Sequence, residues 1–208
     1  MKTRIFNLII IDESGSMHGI KEATIDSVNE TIQTIRASQR KHENQEHFVT
    51  LVTFNNEVTT VYECVPVDEV QELTAETYNP NCCTALYDAM GMSLTALRRK
   101  VAQDDSVLVT VVTDGLENAS REYSGAAVKA LVEELKALNW VFAYIGANHD
   151  VEGAARNISI TNVMNFTATP VGTHCMTSYV NESRMRLYDT IDAVGCCPPS
   201  AQDDFFSK

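Results

Sequence analysis

Strand-like and helix-like segments alternate along this chain from Arg4 to about Phe166, and no other feature limits the fold as strongly. The predicted strands are short apolar runs rich in β-favouring residues: 5–11, 48–54, 58–62, 107–112, 140–145 and 163–166. The predicted helices, whose apolar residues recur three or four positions apart, cover about 19–41, 84–101, 124–138 and 151–156. Strands that alternate with helices predict an α/β fold: an open, mostly parallel, doubly wound (Rossmann-like) sheet with helices on both faces.

Two details of this sheet follow from the strand sequences. The run 5–11 is apolar except for Asn7, which suits a central strand buried on both faces. The run 48–54 is joined to 58–62 through Asn55-Asn56, and so short a connection predicts an antiparallel hairpin. We therefore expect one antiparallel edge strand in an otherwise parallel sheet.

The length of the chain bears on its domain organisation. With 208 residues it fits one ordinary domain and can bury a proper core. After Thr167 the alternating pattern weakens, apart from one helical segment at about 179–193. We therefore divide the chain into a domain at residues 1–170 and a C-terminal extension at residues 171–208, formed by that helix and an irregular tail.

The charge of the chain argues against two classes of partner. It carries 28 Asp and Glu against 16 Lys and Arg, a formal net charge of −12 at pH 7. This balance opposes electrostatic binding to nucleic acid or to an anionic membrane, and it is compatible with attraction of cations. No apolar stretch approaches the roughly 18 residues that a membrane span needs. We expect neither nucleic acid nor membrane as a partner.

The N-terminus and the cysteines bear on the cellular compartment. Basic residues precede an apolar run, as in a secretion signal, but the run is short and DESGS follows it in place of a small-residue cleavage site. The chain has six cysteines, yet it is large enough to fold around a core without disulfides. Reduced thiols and a cytoplasmic location are therefore expected.

Oxygen-bearing side chains follow two of the predicted strands at the point where each strand ends. Asp12-Glu13-Ser14-Gly15-Ser16 comes directly after the first strand, and Thr113-Asp114-Gly115 follows the run 107–112. Because functional residues gather at the carboxyl ends of parallel strands, Asp12 and Asp114 should share one rim of the sheet if their strands are neighbours. The loop 79–84 (NPNCCT) could reach the same rim.

These side chains are suited to a hard cation. Carboxylate and hydroxyl oxygens, without clustered His or Cys, are ligands for Mg²⁺, Mn²⁺ or Ca²⁺. Alternate positions let a tight loop turn Asp12, Ser14 and Ser16 inward. Either motif alone could have only a local structural role. A serine could be a helix N-cap, and Asp114-Gly115 could form a turn. Together, at the ends of matching strands, they favour a metal site.

Three segments together resemble the von Willebrand factor type A (vWA) domain family. Asp12-Glu13-Ser14-Gly15-Ser16 matches its DxSxS signature, Thr84-Ala85-Leu86-Tyr87-Asp88-Ala89 resembles its threonine loop, and Thr113-Asp114-Gly115 its second aspartate motif. Their order and spacing also resemble the family, over about residues 3–167. The resemblance implies a metal-ion-dependent adhesion site (MIDAS) formed by five residues: Asp12, Ser14, Ser16, Thr84 and Asp114.

The resemblance also implies how such a site acts. In family members the serines usually hold the metal directly, the threonine does so in the ligand-competent form, and the aspartates often act through water. Neutral hydroxyl ligands leave the cation electrophilic enough to accept an acidic side chain of another protein at an open position. Mg²⁺ is the expected cation, with Mn²⁺ or Ca²⁺ as alternatives. The resemblance thus implies a protein-interaction module and not an enzyme, and we expect this module to be intracellular and bacterial-type.

The threonine loop departs from the family in one respect. Cys82-Cys83 stands where family members often have glycines just before the threonine. These bulkier side chains should restrict the movement of the loop that carries Thr84.

Two other functions fit parts of the sequence. A Mg²⁺-dependent phosphohydrolase could use Asp12 as its nucleophile and Asp114 as a metal ligand. Haloacid dehalogenase-like phosphatases typically need a second acid two positions after the nucleophile, where this chain has Ser14. The other alternative is a vWA-like domain whose metal only stabilises the rim of the sheet.

Polar residues next to the motifs are expected to support the site and not to form it. Glu13 should point away from the metal, because its neighbours take the alternate positions. Glu117 and Asn118 should shape the loop after Asp114. His149 and Asp150 could form an acid–base pair, but a helix cap is the commoner role for such a loop.

Overall fold

A computed structural model describes residues 2–207 as a six-stranded sheet with helices on both faces. The strands are β1 (Thr3–Asp12), β2 (Gln45–Phe54), β3 (Val58–Pro66), β4 (Ser106–Thr113), β5 (Val141–Gly146) and β6 (Asn162–Asn165). The helices are α1 (Lys21–Lys41), α2 (Leu86–Arg98), α3 (Gly125–Lys136), α4 (Val151–Asn157), α5 (Pro170–Val194) and α6 (Ala201–Asp204), with short 3₁₀ helices at Gly15–Ile20 and Val67–Glu69. None of the helices in this described range is long and apolar enough to cross a membrane.

The strand order β3-β2-β1-β4-β5-β6 confirms the predicted fold class. β1 pairs in parallel with both β2 and β4, and β5 and β6 continue the parallel sheet. β3 pairs antiparallel with β2 at the edge, as the short connection after residue 54 predicts. The order reverses between β1 and β4, which is the place where open α/β sheets form a crevice beyond the carboxyl ends of the strands.

The central strand β1 is buried on both faces, as its apolar sequence predicts. On one face Ile9 and Ile11 belong to the hydrophobic cluster that contains residues of α1 and α5. On the other face Leu8 and Ile10 belong to the cluster that contains residues of α2, α3 and α4. Because close-packed cores resist displacement, the loop after Asp12 starts from a fixed position.

Helix α5 is longer than the predicted segment 179–193. It begins at Pro170, where the Thr169 side chain accepts a hydrogen bond from the Gly172 N–H (3.1 Å), and it ends at Gly195 in a left-handed conformation (φ 84°). Residues 170–178 (PVGTHCMTS) show little apolar periodicity, so the first turns escaped the sequence analysis. The Thr-Pro pair that opens the helix is nevertheless a known helix-start signal.

The segment after α5, predicted to be irregular, is partly helical and packs on the sheet. The Asn162 side chain in β6 donates to the Ala201 carbonyl (3.0 Å) and accepts from the Phe205 N–H (2.9 Å). Phe205 is buried in the same cluster as β1 and α5. The division of the chain into residues 1–170 and 171–208 stays a prediction.

Candidate metal centre

The ends of β1 and β4 lie side by side at one rim of the sheet. In the parallel register Ile11 is opposite Val112, so Asp12 and Asp114 leave the sheet in the same direction. The condition that the two motif-bearing strands be neighbours is therefore met. The polar loops that follow them meet at the crevice between the two strands.

The side chains at and just after the ends of β1 and β4 are connected by hydrogen bonds. Asp12 Oδ1 accepts from the Ser14 N–H (2.7 Å), and Asp12 Oδ2 accepts from the Thr113 hydroxyl (2.5 Å). The hydroxyl oxygens of Ser14 and Ser16 are 3.1 Å apart, and the Ser16 hydroxyl donates to Asp114 Oδ1. Ser14 precedes a 3₁₀ helix but makes no capping hydrogen bond with its side chain. Ser14 therefore takes the N-cap position of that helix without using its side chain as a cap, which leaves its hydroxyl to the cluster.

Gly115 shows how closely Thr84 joins this group. A Cβ placed on Gly115 would lie 3.1 Å from Thr84 Oγ1, 3.7 Å from Ser16 Oγ and 3.8 Å from Asp12 Oδ2. Three of the predicted ligand oxygens thus surround one small volume beside Gly115. A side chain at position 115 would occupy that volume. All five sequence-predicted site residues are brought together.

The donor set fits a hard divalent cation. Among residues 2–207 no group of three or more His, Cys, Asp or Glu side chains could hold a metal. The cluster offers two carboxylates and three hydroxyls, which are oxygen ligands of the kind that Mg²⁺ takes. Ser16 is exposed, whereas Asp12 and Asp114 are buried, so the cluster opens to solvent on the Ser16 side.

The electrostatics of the two carboxylates favour a bound cation. Burial raises the pKa of Asp12, although hydrogen bonds from Ser14 and Thr113 act in the opposite direction. Burial also raises the pKa of Asp114, against a hydrogen bond from Ser16. A positive charge close to these groups would stabilise their ionised forms.

The threonine loop is held on the loop after β4 by a pair of hydrogen bonds. The Thr84 N–H donates to Asn118 Oδ1 (2.9 Å), and the Asn118 N–H donates to the Thr84 carbonyl (3.0 Å). The Glu117 carboxylate accepts from the Tyr87 N–H (2.9 Å) and from the Ser120 N–H (2.7 Å). The prediction that Glu117 and Asn118 shape this loop is confirmed.

Asp88 makes a further connection between these loops, and sequence reasoning gave it no role. Its buried carboxylate accepts from the N–H groups of Arg121 (2.8 Å), Glu122 (2.9 Å) and Tyr123 (2.7 Å). Burial acts to raise the pKa of Asp88, but these backbone hydrogen bonds outweigh it and the pKa is lowered. The sequence does contain a signal for this role. Asp88 is an acid in the first turn of α2, and the apolar pattern of that helix does not account for it.

The DxSxS loop is also supported by the segment that precedes the threonine loop. The buried Tyr78 hydroxyl, which the sequence analysis missed, donates to the Asp12 carbonyl (2.6 Å). The Glu13 carboxylate accepts from the Asn79 N–H, so Glu13 points away from the cluster as predicted. The Gly15 N–H donates to the Cys82 carbonyl (3.1 Å). The segment 78–82 therefore fixes the backbone of the loop.

The loop after β5 contains a helix cap. Asp150 Oδ1 accepts from the Gly153 N–H (3.0 Å) at the start of α4, which confirms the capping role. His149 Nδ1 lies 2.6 Å from the Ala147 carbonyl oxygen, and its Nε2 lies 3.5 Å from the Tyr144 hydroxyl. Asp150 is thus engaged with its own helix and not with His149.

The sequence model of the von Willebrand factor type A domain family matches residues 8–175 of the chain. This range contains β1 to β6, the DxSxS loop, the threonine loop and the loop after β4. No match was found among curated protein sequences.

Solved structures share the fold at low sequence identity. A von Willebrand factor type A protein from Catenulispora acidiphila has a TM-score of 0.60 at 15% identity, over 88% of this chain and 43% of that one. Proximal thread matrix protein 1 from the mussel byssus, with a zinc-occupied MIDAS motif, has a TM-score of 0.60 at 15% identity, over 88% and 46%. The PilB minor pilin of Streptococcus sanguinis has a TM-score of 0.59 at 13% identity, over 89% and 62%. The chain thus spans less than two thirds of each.

Proposed function

Because the chain belongs to the von Willebrand factor type A domain family, we propose that it is a metal-dependent protein-binding module. Domains of this family are commonly interaction modules of this kind. The cation would be held by five residues: Asp12, Ser14, Ser16, Thr84 and Asp114. Mg²⁺ is the proposed cation, with Mn²⁺ or Ca²⁺ as substitutes, because the ligands are hard oxygens. A solved structure with the same fold has a zinc-occupied MIDAS motif, which supports a divalent cation here.

The observation that carries this proposal is the convergence of hydroxyl oxygens beside Gly115. Thr84 and Ser16 oxygens approach that glycine, and Ser14 lies 3.1 Å from Ser16, while only Asp12 and Asp114 contribute negative charge. A bound divalent cation would supply an electrophilic position, because neutral ligands compensate little of its charge. The exposed side of Ser16 gives an acidic side chain of a partner protein a route to it.

The surroundings of Asp12 support a binding function over the phosphohydrolase alternative. Both of its carboxylate oxygens accept hydrogen bonds, from the Ser14 N–H and the Thr113 hydroxyl, and the residue is fully buried. A nucleophile must reach its substrate directly, whereas an acid that holds a cation through water need not, so a buried Asp12 suits the second role better. We therefore propose that the protein is not an enzyme.

The test is selective binding of acidic peptides in the presence of metal. A peptide array would pair each Asp- or Glu-containing peptide with its Asn or Gln counterpart, and the labelled protein would be applied in Mg²⁺ and in EDTA. We expect acidic peptides to bind in Mg²⁺ only, and the double variant Ser14→Ala/Ser16→Ala to lose this binding. Ser178→Ala, an exposed serine on α5, is the matched control and should bind like the wild type.

Two results would count against the proposal. Equal binding of acidic peptides and their amide counterparts would mean that no carboxylate is recognised. A metal that raises the melting temperature without any carboxylate-selective binding would support the alternative in which the metal only stabilises the rim.

We propose a cytoplasmic, bacterial-type setting for this module, and the cysteines support its cytoplasmic part. All six are free thiols within residues 2–207, and Cys82, Cys83, Cys175 and Cys196 are exposed. Free exposed thiols persist in reducing compartments, whereas secreted domains tend to form disulfides. Pilin and adhesin structures with this fold belong to proteins of the cell surface, so the location needs its own test. Fractionation of host cells, with a cytoplasmic marker protein, would provide it.

A further inference from the structure

An exposed leucine lies in the loop after β4, next to the candidate metal centre. Leu116 follows Gly115 in the chain and is 58% exposed. On one side of it the Gly115 N–H donates to Thr113 Oγ1 (3.2 Å). On the other side the Glu117 carboxylate accepts from the Ala119 N–H (2.9 Å). Leu116 therefore presents an apolar side chain to solvent from a backbone that is held on both sides.

The threonine loop adds two more exposed side chains of low polarity. Cys82 and Cys83 are both exposed free thiols, and they come directly before Thr84. The Gly15 N–H donates to the Cys82 carbonyl (3.1 Å), so Cys82 lies beside the DxSxS loop. A free cysteine behaves as a small hydrophobe in its contacts. Apolar side chains thus flank the predicted ligand oxygens on the side of the threonine loop as well as on the side of Leu116.

The charge of the loops around the site limits what else they can bind. The segments 12–16, 79–84 and 113–120 contain no lysine or arginine, and they contain four acids: Asp12, Glu13, Asp114 and Glu117. Like charges that meet across an interface are unfavourable. A bound cation would attract one acid of a partner, whereas a second acid beside it would meet net negative charge. Apolar contact is what Leu116 and the two thiols add next to that one acid.

The geometry of an extended peptide sets the spacing between the acid and an apolar contact. Side chains of such a peptide alternate between two faces, so residues two positions apart share a face and lie about 7 Å from each other. The acid would enter the volume beside Gly115, and the Cα atom of Leu116 is about 3.8 Å from that of Gly115. With the length of the leucine side chain added, the residue two positions from the acid lies over Leu116. The residue next to the acid faces away from the protein.

We propose that the partner segment carries an apolar residue two positions from its metal-bound acid, and that this residue packs on Leu116. This preference rests on the proposed function, because the acid at the metal is what places the segment over the loop after β4. Leu116 is then a specificity-determining residue. The cation requires only an acid, whereas Leu116 selects among the segments that contain one.

The test uses fluorescently labelled peptides of glycine and serine that carry one central aspartate. Leucine is placed two positions before the aspartate, two positions after it or directly after it, and each peptide has a counterpart with asparagine at the centre. Binding to the whole chain is measured by fluorescence anisotropy in Mg²⁺ and in EDTA. We expect leucine at a two-position site to strengthen Mg²⁺-dependent binding about three- to tenfold, because burial of part of a leucine side chain contributes a factor of this order. Leucine directly after the aspartate should have little effect.

Variants assign the effect to Leu116. Leu116→Ser should lose the preference for leucine, and Leu116→Met, which keeps an apolar side chain, should retain it. Leu138→Ser, at an exposed leucine beyond the end of α3, is the matched control and should also retain it. Aspartate-dependent binding that leucine does not strengthen, or a preference that survives in Leu116→Ser, would overturn this inference and leave the proposed function standing. Equal binding of all aspartate and asparagine peptides would contradict the proposed function, and this preference with it.

Discussion

At the scale of single residues, the buried carboxylate of Asp12 is unfavourable for stability but serves the proposed cation site. Its carboxylate is buried next to Asp114, and burial raises its pKa. A carboxyl group whose folded pKa is raised stabilises the folded state while protonated, and this contribution is lost as the pH rises through the folded pKa. At neutral pH the metal-free protein therefore holds an unfavourable charge, which a bound cation would offset.

The substitution Asp12→Asn should separate the cost of the buried charge from the stabilisation by a bound cation. In EDTA at pH 7 we expect the variant to melt at the same temperature as the wild type or higher, because the buried charge is gone and Oδ1 can still accept from Ser14. Addition of Mg²⁺ should raise the melting temperature of the wild type only. Asp26→Asn, at an exposed acid, should respond to Mg²⁺ like the wild type. A metal-free Asp12→Asn several degrees less stable than the wild type would contradict this reasoning.

His47 in β2 gives a second prediction at this scale. Burial, followed by the nearby positive groups Arg184 and His42, lowers its pKa from 6.5 to about 3. The unfolded chain therefore takes up this proton first, and stability falls as the pH drops from about 6.5 toward 3, by up to about 1.4 kcal/mol per pH unit from this group. His47→Gln should reduce the slope of unfolding free energy against pH between 6 and 4, measured by urea denaturation. The exposed-site control His174→Gln should keep the wild-type slope.

At the scale of elements, the threonine loop and the loop after β4 act as one unit. Asn118→Ala removes the acceptor of the Thr84 N–H, so Thr84 should lose its fixed position near Gly115. Loss of a residue that holds a metal ligand in place typically lowers metal affinity about 10–100-fold, and we expect a loss in this range for Mg²⁺ by calorimetric titration. Asn118→Asp keeps an acceptor oxygen and should retain most of the affinity. Equal affinities of Asn118→Ala and wild type would show that this tether does not position Thr84.

Helix α2 packs closely against the loop after β4 at Gly91. A Cβ at this position would overlap the Tyr123 ring. Gly91→Ala should therefore displace Tyr123 and lower the free energy of unfolding by about 1–3 kcal/mol, as overpacked cores do. Nothing lies within 4 Å of a Cβ placed on Gly19, so Gly19→Ala is the matched control. If urea denaturation shows equal stability for both variants, the packing of α2 against this loop is looser than described.

The strands and helices were largely predictable from the sequence, but the contacts between distant loops were not. Runs such as 5–11 and 107–112 are apolar and β-branched because both faces of the sheet are covered, and this pattern is local in the sequence. The contacts of Tyr78 with Asp12 and of Asp88 with residues 121–123 join segments far apart in the chain. No local pattern encodes such a contact, because its geometry depends on how irregular loops meet.

At the scale of the whole molecule, the strand order creates the candidate site. The sequence predicted the motif residues, but their meeting depended on β1 and β4 being neighbours, which the structure supplies. Three segments distant in sequence then contribute oxygens to one rim of the sheet. A change in strand order would separate Asp12 from Asp114 without altering either motif.

The C-terminal region belongs to the same packed body. Lys41 and His42, at the end of α1, contact Asp189 in α5 at 2.6 Å and 2.8 Å. Tyr188 and Ile191 of α5 are buried in the cluster that contains Ile9. We therefore propose that the extension, described as far as residue 207, covers one face of the sheet formed by the preceding domain.

The most direct test of the central claim is calorimetric titration of the metal-free protein with Mg²⁺, repeated with Mn²⁺. We predict one divalent cation per chain, and loss of binding in Ser14→Ala/Ser16→Ala but not in Ser178→Ala. Because Mn²⁺ is paramagnetic, its binding can be confirmed independently by electron paramagnetic resonance. Unchanged binding in the double serine variant, or no binding by the wild type, would contradict the assignment of this rim as a metal site.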